Sequence, residues 1–300
     1  MRGEPDGEGR LMRPKVTVAA MTVAVVLAIS ACSGDDGGVA RVDPGEFAEG
    51  STMADLAEAG AITIGTKFDQ PLFGELTEGG VPEGFDVEIA KVIASELGIG
   101  PDRITWVEAL SANREAYIES GQVDIVVGTY SVTDGRRQVV AFAGPYFMAG
   151  QAMMVRADND EIRSPEDMDG RTVCTVEGST SADYVRENHP TATLVLFRAY
   201  ADCLEPLRGG DVDIVTTDNK ILAGYVESSD GEYTLVGEPF TQEPYGIGLA
   251  REDTEFRMWL NDVLEQSYED GRWAEAWEST AGTVLGEAEP PAVDRYALTP

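Results

Sequence analysis

Apolar residues at Phe85, Ile89, Ile93 and Leu97 recur at four-residue spacing, which puts them on one face of a helix. Asp86 stands where that helix would take an N-terminal cap. Upstream, Ala61-Ile62-Thr63-Ile64 alternates like a short strand and ends in the polar loop Gly65-Thr66-Lys67. The same order returns later. Arg171 to Val176 reads as a strand, runs into Glu177-Gly178-Ser179-Thr180, and is followed by a helical pattern. A longer unit also occurs twice, as NREAYIESGQVDIVVGT at 113–129 and DCLEPLRGGDVDIVTTD at 202–218. Each has a helix-like stretch, a glycine break, Val-Asp-Ile-Val and a polar end. Strands alternating with helices predict parallel-sheet α/β units, and two sets predict two similar lobes.

The joins can be read as well. Gly144-Pro145-Tyr146-Phe147 punctuates the end of the first lobe, and Gln151 to Val155 then reads as a strand. Glu238-Pro239 and Glu243-Pro244 flank a crossing back, followed by a strand from Gly246 to Ala250. Residues 254–280 are expected to be helical. Phe256, Leu260, Val263 and Leu264 form one apolar stripe there, and Trp273 and Trp277 form another that suits core packing. With the last segment on lobe 1, the chain crosses between lobes twice, which makes a hinge and a cleft. The expected division is 52–148 with 240–282 as lobe 1 and 149–239 as lobe 2. Residues 283–300, with Pro290-Pro291, are expected to be a loose tail.

The N-terminus has a different pattern. Arg13 and Lys15 precede an apolar run from Val16 to Ile29, too short to span a bilayer but suited to a secretory signal. Arg2 to Leu11 is acidic and Gly-rich, so a start at Met1 or at Met12 stays open. Leu27-Ala28-Ile29-Ser30-Ala31-Cys32 resembles a bacterial lipoprotein box. The resemblance implies removal of 1–31, a lipid on the Cys32 sulfur and anchoring to the outer face of the cytoplasmic membrane. Residues 32–51 are Gly/Asp-rich and read as a flexible tether. In an exported chain Cys174 and Cys203 are expected to pair as a disulfide, which would stabilise by roughly 3–4 kcal/mol through loop closure.

Composition narrows the function. Lys and Arg number 22 and Asp and Glu 54, for a net charge of -32. Such a surface repels phosphate backbones and excludes a nucleic-acid role. His189 is the only histidine and sits in a polar Glu-Asn-His-Pro turn, so no zinc site and no cofactor are expected.

Ligands of open α/β sheets collect beyond the carboxyl ends of the strands. At those ends lobe 1 offers Lys67, Thr129, Ser131, Arg136 and Arg137, with Arg114 nearby. Lobe 2 offers Ser179 and Thr180 at a helix start and Asp218 after its Val-Asp-Ile-Val strand. In a chain with so few cations this set suits a zwitterion. A guanidinium and helix-start N–H groups hold a carboxylate, an acid holds an ammonium, and further cations suit a second ligand carboxylate.

The stretch from Gly128 through Arg136 to Phe142 with Pro145-Tyr146, together with Glu83 to Ala90, resembles the signature of polar-amino-acid-binding proteins of ABC importers. Ser111-Ala-Asn-Arg114, Thr216-Thr-Asp-Asn219 and Tyr245-Gly-Ile-Gly248 resemble its glutamate/aspartate branch, and the similarity covers about Leu56 to Thr280. The resemblance implies a two-lobed type II periplasmic-binding-protein fold, α/β in class, with the ligand cleft between lobes joined by two crossing segments. It assigns the ligand α-carboxylate to Arg136, Ser131 and Thr180, and the α-amino group to Asp218, Thr129 and Ser131. It assigns the side-chain carboxylate to Lys67, Arg114 and Ser111. Some relatives have Arg at the position of Lys67, a change from a fork to a point charge that leaves the Glu-versus-Asp preference open. The implied function is capture of L-glutamate or L-aspartate for an ABC permease with a cytoplasmic ATPase, by a monomer that performs no chemistry. A sensing lipoprotein with the same ligand chemistry is an alternative. An enzyme on the same fold is another, with Glu177 as its one tempting acid–base candidate.

Overall fold

A computed structural model describes residues 39–296. The expected signal peptide at 1–31 and the lipidation site Cys32 lie outside the described residues. The first lobe begins with α1 (Thr52–Ala59), β1 (Ile62–Thr66) and the small strands β2 (Asp69–Gln70), β3 (Gly74–Leu76) and β4 (Pro82–Glu83). It continues with α2 (Phe85–Glu96), β5 (Ile104–Glu108), α3 (Arg114–Glu119), β6 (Ile125–Val126), α4 (Asp134–Arg137) and β7 (Ala141–Ala149). The second lobe holds β8 (Gln151–Arg156), β9 (Thr172–Val176), α5 (Thr180–Asn188), β10 (Thr193–Phe197), α6 (Leu204–Gly209), β11 (Ile214–Asp218), α7 (Asn219–Glu227) and β12 (Tyr233–Val236). The chain then returns through β13 (Glu243–Leu249), α8 (Thr254–Asp270), α9 (Arg272–Glu278) and α10 (Gly282–Leu285).

Each lobe is built on a five-stranded sheet, ordered β5-β1-β6-β13-β7 in the first and β10-β9-β11-β8-β12 in the second. In each, the strands of the repeated unit run parallel, β1 with β5 and β6, and β9 with β10 and β11. The antiparallel members are the strands beside the crossings. β13 pairs antiparallel with β6 and β7, and β8 with β11 and β12. The chain crosses once between β7 and β8 and again between β12 and β13. The crossings lie side by side. The Phe240 N–H donates to the Gln151 carbonyl, and the Gln151 N–H to Thr241 Oγ1, both at 2.9 Å.

The four-residue stripe of α2 does what its spacing requires. Phe85, Ile89 and Ile93 are fully buried against α8 and α9. Trp277 stacks on Phe147 at 4.9 Å between centroids and meets Phe85 edge-on at 5.2 Å. Trp273 lies 5.5 Å from Phe85, so both tryptophans are core, each side chain of this kind contributing roughly 1.5–3 kcal/mol. The second lobe has a smaller core around Met154, Leu207, Val215 and Leu222. Inside it Cys174 of β9 is bonded to Cys203, 29 residues on, at the end of the 3₁₀ turn Tyr200–Cys203.

Several local expectations are corrected. Asp86 is not the cap of α2, since Gly84 holds that position. The Asp86 carboxylate is fully buried and accepts from the Thr129 N–H and the Tyr146 hydroxyl, both at 2.7 Å. Gly144-Pro145-Tyr146-Phe147 lies inside β7, the strand from which the chain first crosses to the second lobe, so the expected punctuation is itself extended chain. The expected helix over 254–280 is broken at Gly271, which takes φ 90°. The tail is docked as far as it is described. Leu285, Ala288 and Val293 pack on the first core, and the Trp277 indole N–H donates to the Gly286 carbonyl at 2.7 Å. Tyr296 lies between the guanidinium groups of Arg137 and Arg257, 3.9 and 4.5 Å from its ring centre, and its hydroxyl accepts from the Phe142 N–H. Polar composition hid this, because the tail binds through a few anchors and not through a periodic face. The described end of the expected tether is docked too. Phe47 meets Trp259 of α8 edge-on at 6.1 Å.

Candidate functional site

The carboxyl ends of β1, β6, β9 and β11 all open on the space between the lobes. The cleft there is lined by Ser111, Arg114, Thr129, Ser131 and Arg136 from lobe 1 and by Ser179, Thr180, Tyr200, Thr217, Asp218 and Ile221 from lobe 2. All the expected ligand residues except Lys67 form its walls. Lys67 lies behind Ser111, with Nζ 2.9 Å from Ser111 Oγ.

The cations of the first lobe are held rigidly. The Arg114 side chain runs beneath the loop after β6, and its guanidinium donates to the carbonyls of Ser111, Gly128 and Thr129, each at 3.3 Å. Its plane lies 4.1 Å from the centre of the Tyr130 ring, and Arg136 lies 5.2 Å from the same ring. Arg136 is placed by the short helix α4, whose Thr133 cap accepts from the Arg136 N–H. Arg136 donates to the Ser131 carbonyl at 2.6 Å and, across the cleft, to the Gly178 carbonyl at 2.9 Å. Its Nε lies 3.4 Å from Glu115.

Burial makes this end of the cleft electrostatically demanding. Lys67 and Arg114 are 3 and 2% exposed. Desolvation, with Arg114 beside it, lowers the Lys67 ammonium to about 7. Desolvation followed by the field of Arg136 lowers Arg114 to about 10. Among the described residues, Lys67 and Arg114 hydrogen-bond only to hydroxyl and carbonyl oxygens, with no carboxylate in direct contact.

The opposite wall has the opposite sign. Asp218 closes β11 and is 4% exposed. Its Oδ2 accepts from the Tyr245 hydroxyl of lobe 1 at 2.6 Å, and its Oδ1 has no partner among the described residues. Burial, with Glu243 nearby, raises the carboxyl to about 7. An ammonium group at Oδ1 would restore its charge. Thr180 opens α5, where a helix start favours negative charge. Its hydroxyl donates to Glu243 Oε2 of lobe 1 at 3.0 Å. Glycine at 178 is required by contact. A Cβ there would lie 2.7 Å from Ala112 Cα on the facing lobe, and the residue takes φ 71°.

The site therefore has buried cations on one side and a buried acid with a vacant lone pair on the other, which suits a ligand with separated charges. His189 lies at the far end of α5 from Thr180, and Glu177 is not among the lining residues. Among the described residues, no group of three or more His, Cys, Asp or Glu could hold a metal ion.

Residues 62–280 match the profile of bacterial extracellular solute-binding proteins, family 3. The chain belongs to this family. It is an extracytoplasmic solute-binding protein, not an enzyme. It is 40% identical over 267 residues to glutamate-binding protein GluB of Corynebacterium efficiens, covering 85% of this chain and 87% of GluB. It is 32% identical to the ABC transporter glutamine-binding protein GlnH of Bacillus subtilis, covering 89 and 97%. Among solved structures, the solute receptors for L-cysteine of Neisseria gonorrhoeae superpose with a TM-score of 0.75 at 28% identity, over 81% of this chain and 99% of that one. The fold is the two-lobed type II binding-protein fold. For this solute-binding protein, residue patterns do not point to Tyr200, Thr217 or Ile221 as cleft residues. Tyr200 lies in the irregular stretch Arg198-Ala-Tyr-Ala-Asp, which carries no periodicity. Thr217 stands one residue before Asp218 at a strand end, which is the available signal.

Proposed function

We propose that the protein captures L-glutamate or L-aspartate between its lobes and delivers it to an ABC permease driven by a cytoplasmic ATPase. Arg136, Ser131 and the start of α5 at Thr180 take the α-carboxylate. Asp218, Thr129 and Ser131 take the α-ammonium. Arg114 and Ser111, backed by Lys67, take the side-chain carboxylate. The observation that carries this reading is the pair of buried cations, Lys67 and Arg114, bonded only to neutral oxygens. A neutral amide would leave that charge unanswered, whereas a second carboxylate answers it. The name of GluB supports an acid, and that of GlnH makes glutamine the competitor to exclude.

Titration calorimetry with glutamate, aspartate and glutamine tests the assignment. Arg114→Ala should weaken glutamate and aspartate by about tenfold or more and glutamine much less. An equal loss for all three, or none, removes Arg114 from the side-chain site. Loss of labelled glutamate uptake in a strain lacking the protein would mark transport; intact uptake would leave the sensing role. We further propose that Cys32 carries the lipid anchor. Incorporation of a labelled fatty acid by the wild type and not by Cys32→Ala is the expected result.

A further inference from the structure

We propose that Asp69 of lobe 1 and the Tyr200–Cys203 turn of lobe 2 form a latch that sets how long a captured amino acid is held. The inference rests on the reading that ligand is captured between the lobes. Asp69 lies in β2, and its Oδ2 accepts from the Tyr200 N–H at 2.8 Å and the Ala201 N–H at 3.4 Å. The hydroxyl of Tyr225, on α7 of lobe 2, donates to the Asp69 carbonyl at 2.6 Å. The surfaces are in close contact here, since a Cβ on Gly224 would lie 2.7 Å from the Pro71 carbonyl oxygen. Asp69, Ala201 and Tyr225 are not among the residues lining the cleft.

The latch is nevertheless joined to both cleft walls. Next to Asp69, Gln70 Oε1 accepts from the cleft residue Thr129 at 2.9 Å. On the other lobe, the turn that donates to Asp69 carries Tyr200 into the cleft, and its last residue is tied by Cys203 to Cys174 of β9. Bonds from main-chain N–H groups to a carboxylate are charge-assisted. They can form only when the lobes meet, so they favour the closed form whichever amino acid is inside. Their expected effect is on ligand release and not on ligand choice.

Stopped-flow release of bound amino acid from the full chain tests this. Tyr225→Phe is the deciding variant because it changes no charge and leaves the cleft wall intact. It should raise the release rate by roughly three- to tenfold, with the association rate, the ligand-free Tm and the glutamate-to-glutamine affinity ratio unchanged. Asp69→Asn should raise release by about tenfold or more. Unchanged release in both variants overturns the latch. A shifted affinity ratio or a lowered ligand-free Tm in Tyr225→Phe also overturns it, by showing a direct ligand effect or a merely structural role. A thermal-shift screen of the twenty amino acids comes first. If glutamate and aspartate do not stand out there, the ligand assignment fails and the latch is measured with whichever amino acid does. A protein that binds none of them overturns both.

Discussion

The two lobes share a sheet plan but are stabilised and charged differently. Lobe 1 has the larger core, centred on Phe85, Phe147, Trp273 and Trp277, and supplies every cation of the cleft. Lobe 2 has a smaller core, contains the disulfide and supplies the buried acid Asp218. Small units bury a smaller share of their surface and depend more on cross-links. The cationic wall is set in the lobe with the larger core, and its three charges repel one another. The acidic wall sits in the lobe braced by a covalent bond.

That contrast can be broken at its strongest point. Arg136→Ala removes the residue that reaches from lobe 1 to Gly178 of lobe 2, and glutamate affinity should fall by about 100-fold or more in calorimetry. Replacing Cys174 and Cys203 together by Ala tests the brace. The loss should be about 3–4 kcal/mol, seen as a lobe 2 transition lowered by roughly 12–30 °C in scanning calorimetry while lobe 1 holds. A uniform shift of both lobes would mean that the brace is not local.

The opposed charges predict a pH profile. Asp218 sits near 7 because burial raises it, so below pH 7 it holds a proton that the ligand ammonium must displace. Lys67 sits near 7 because burial lowers it, so above pH 7 it must regain a proton to meet the ligand carboxylate. Glutamate affinity should peak near pH 7 and fall on both sides, by up to about tenfold per pH unit. Asp218→Asn should remove the acid limb and leave the alkaline one. The smallest expected effect is in the tail. Tyr296→Phe deletes the acceptor of the Phe142 N–H but keeps the ring between two arginines. It should lower the lobe 1 transition by about 1–2 kcal/mol with little effect on binding, measured by the same calorimetry.

The sheet plan was legible because it is written in periodicity. Ile62 to Thr66, Thr172 to Val176 and the two Val-Asp-Ile-Val segments all form or enter strands, and the α2 stripe is buried as its spacing demands. Most candidate site residues were legible because strand ends converge in this kind of sheet. Other features were not. Asp86 looks like a cap by position, but its carboxylate is used to hold the Thr129 backbone, a contact between residues 43 apart that no local pattern encodes. Tyr245 meets Asp218 across the cleft only because the chain crosses back, and its motif gives no sign of that partner. The tail anchors are single residues with distant partners, so composition alone read them as loose.

The first and last described segments are docked on different sets of neighbours. Phe47 near the front and Tyr296 near the back are each fastened to lobe 1, whereas α10, where the tail begins, also touches α7 of lobe 2. A load applied at Phe47 is therefore borne by α8 of lobe 1, whereas one applied at α10 is shared with lobe 2.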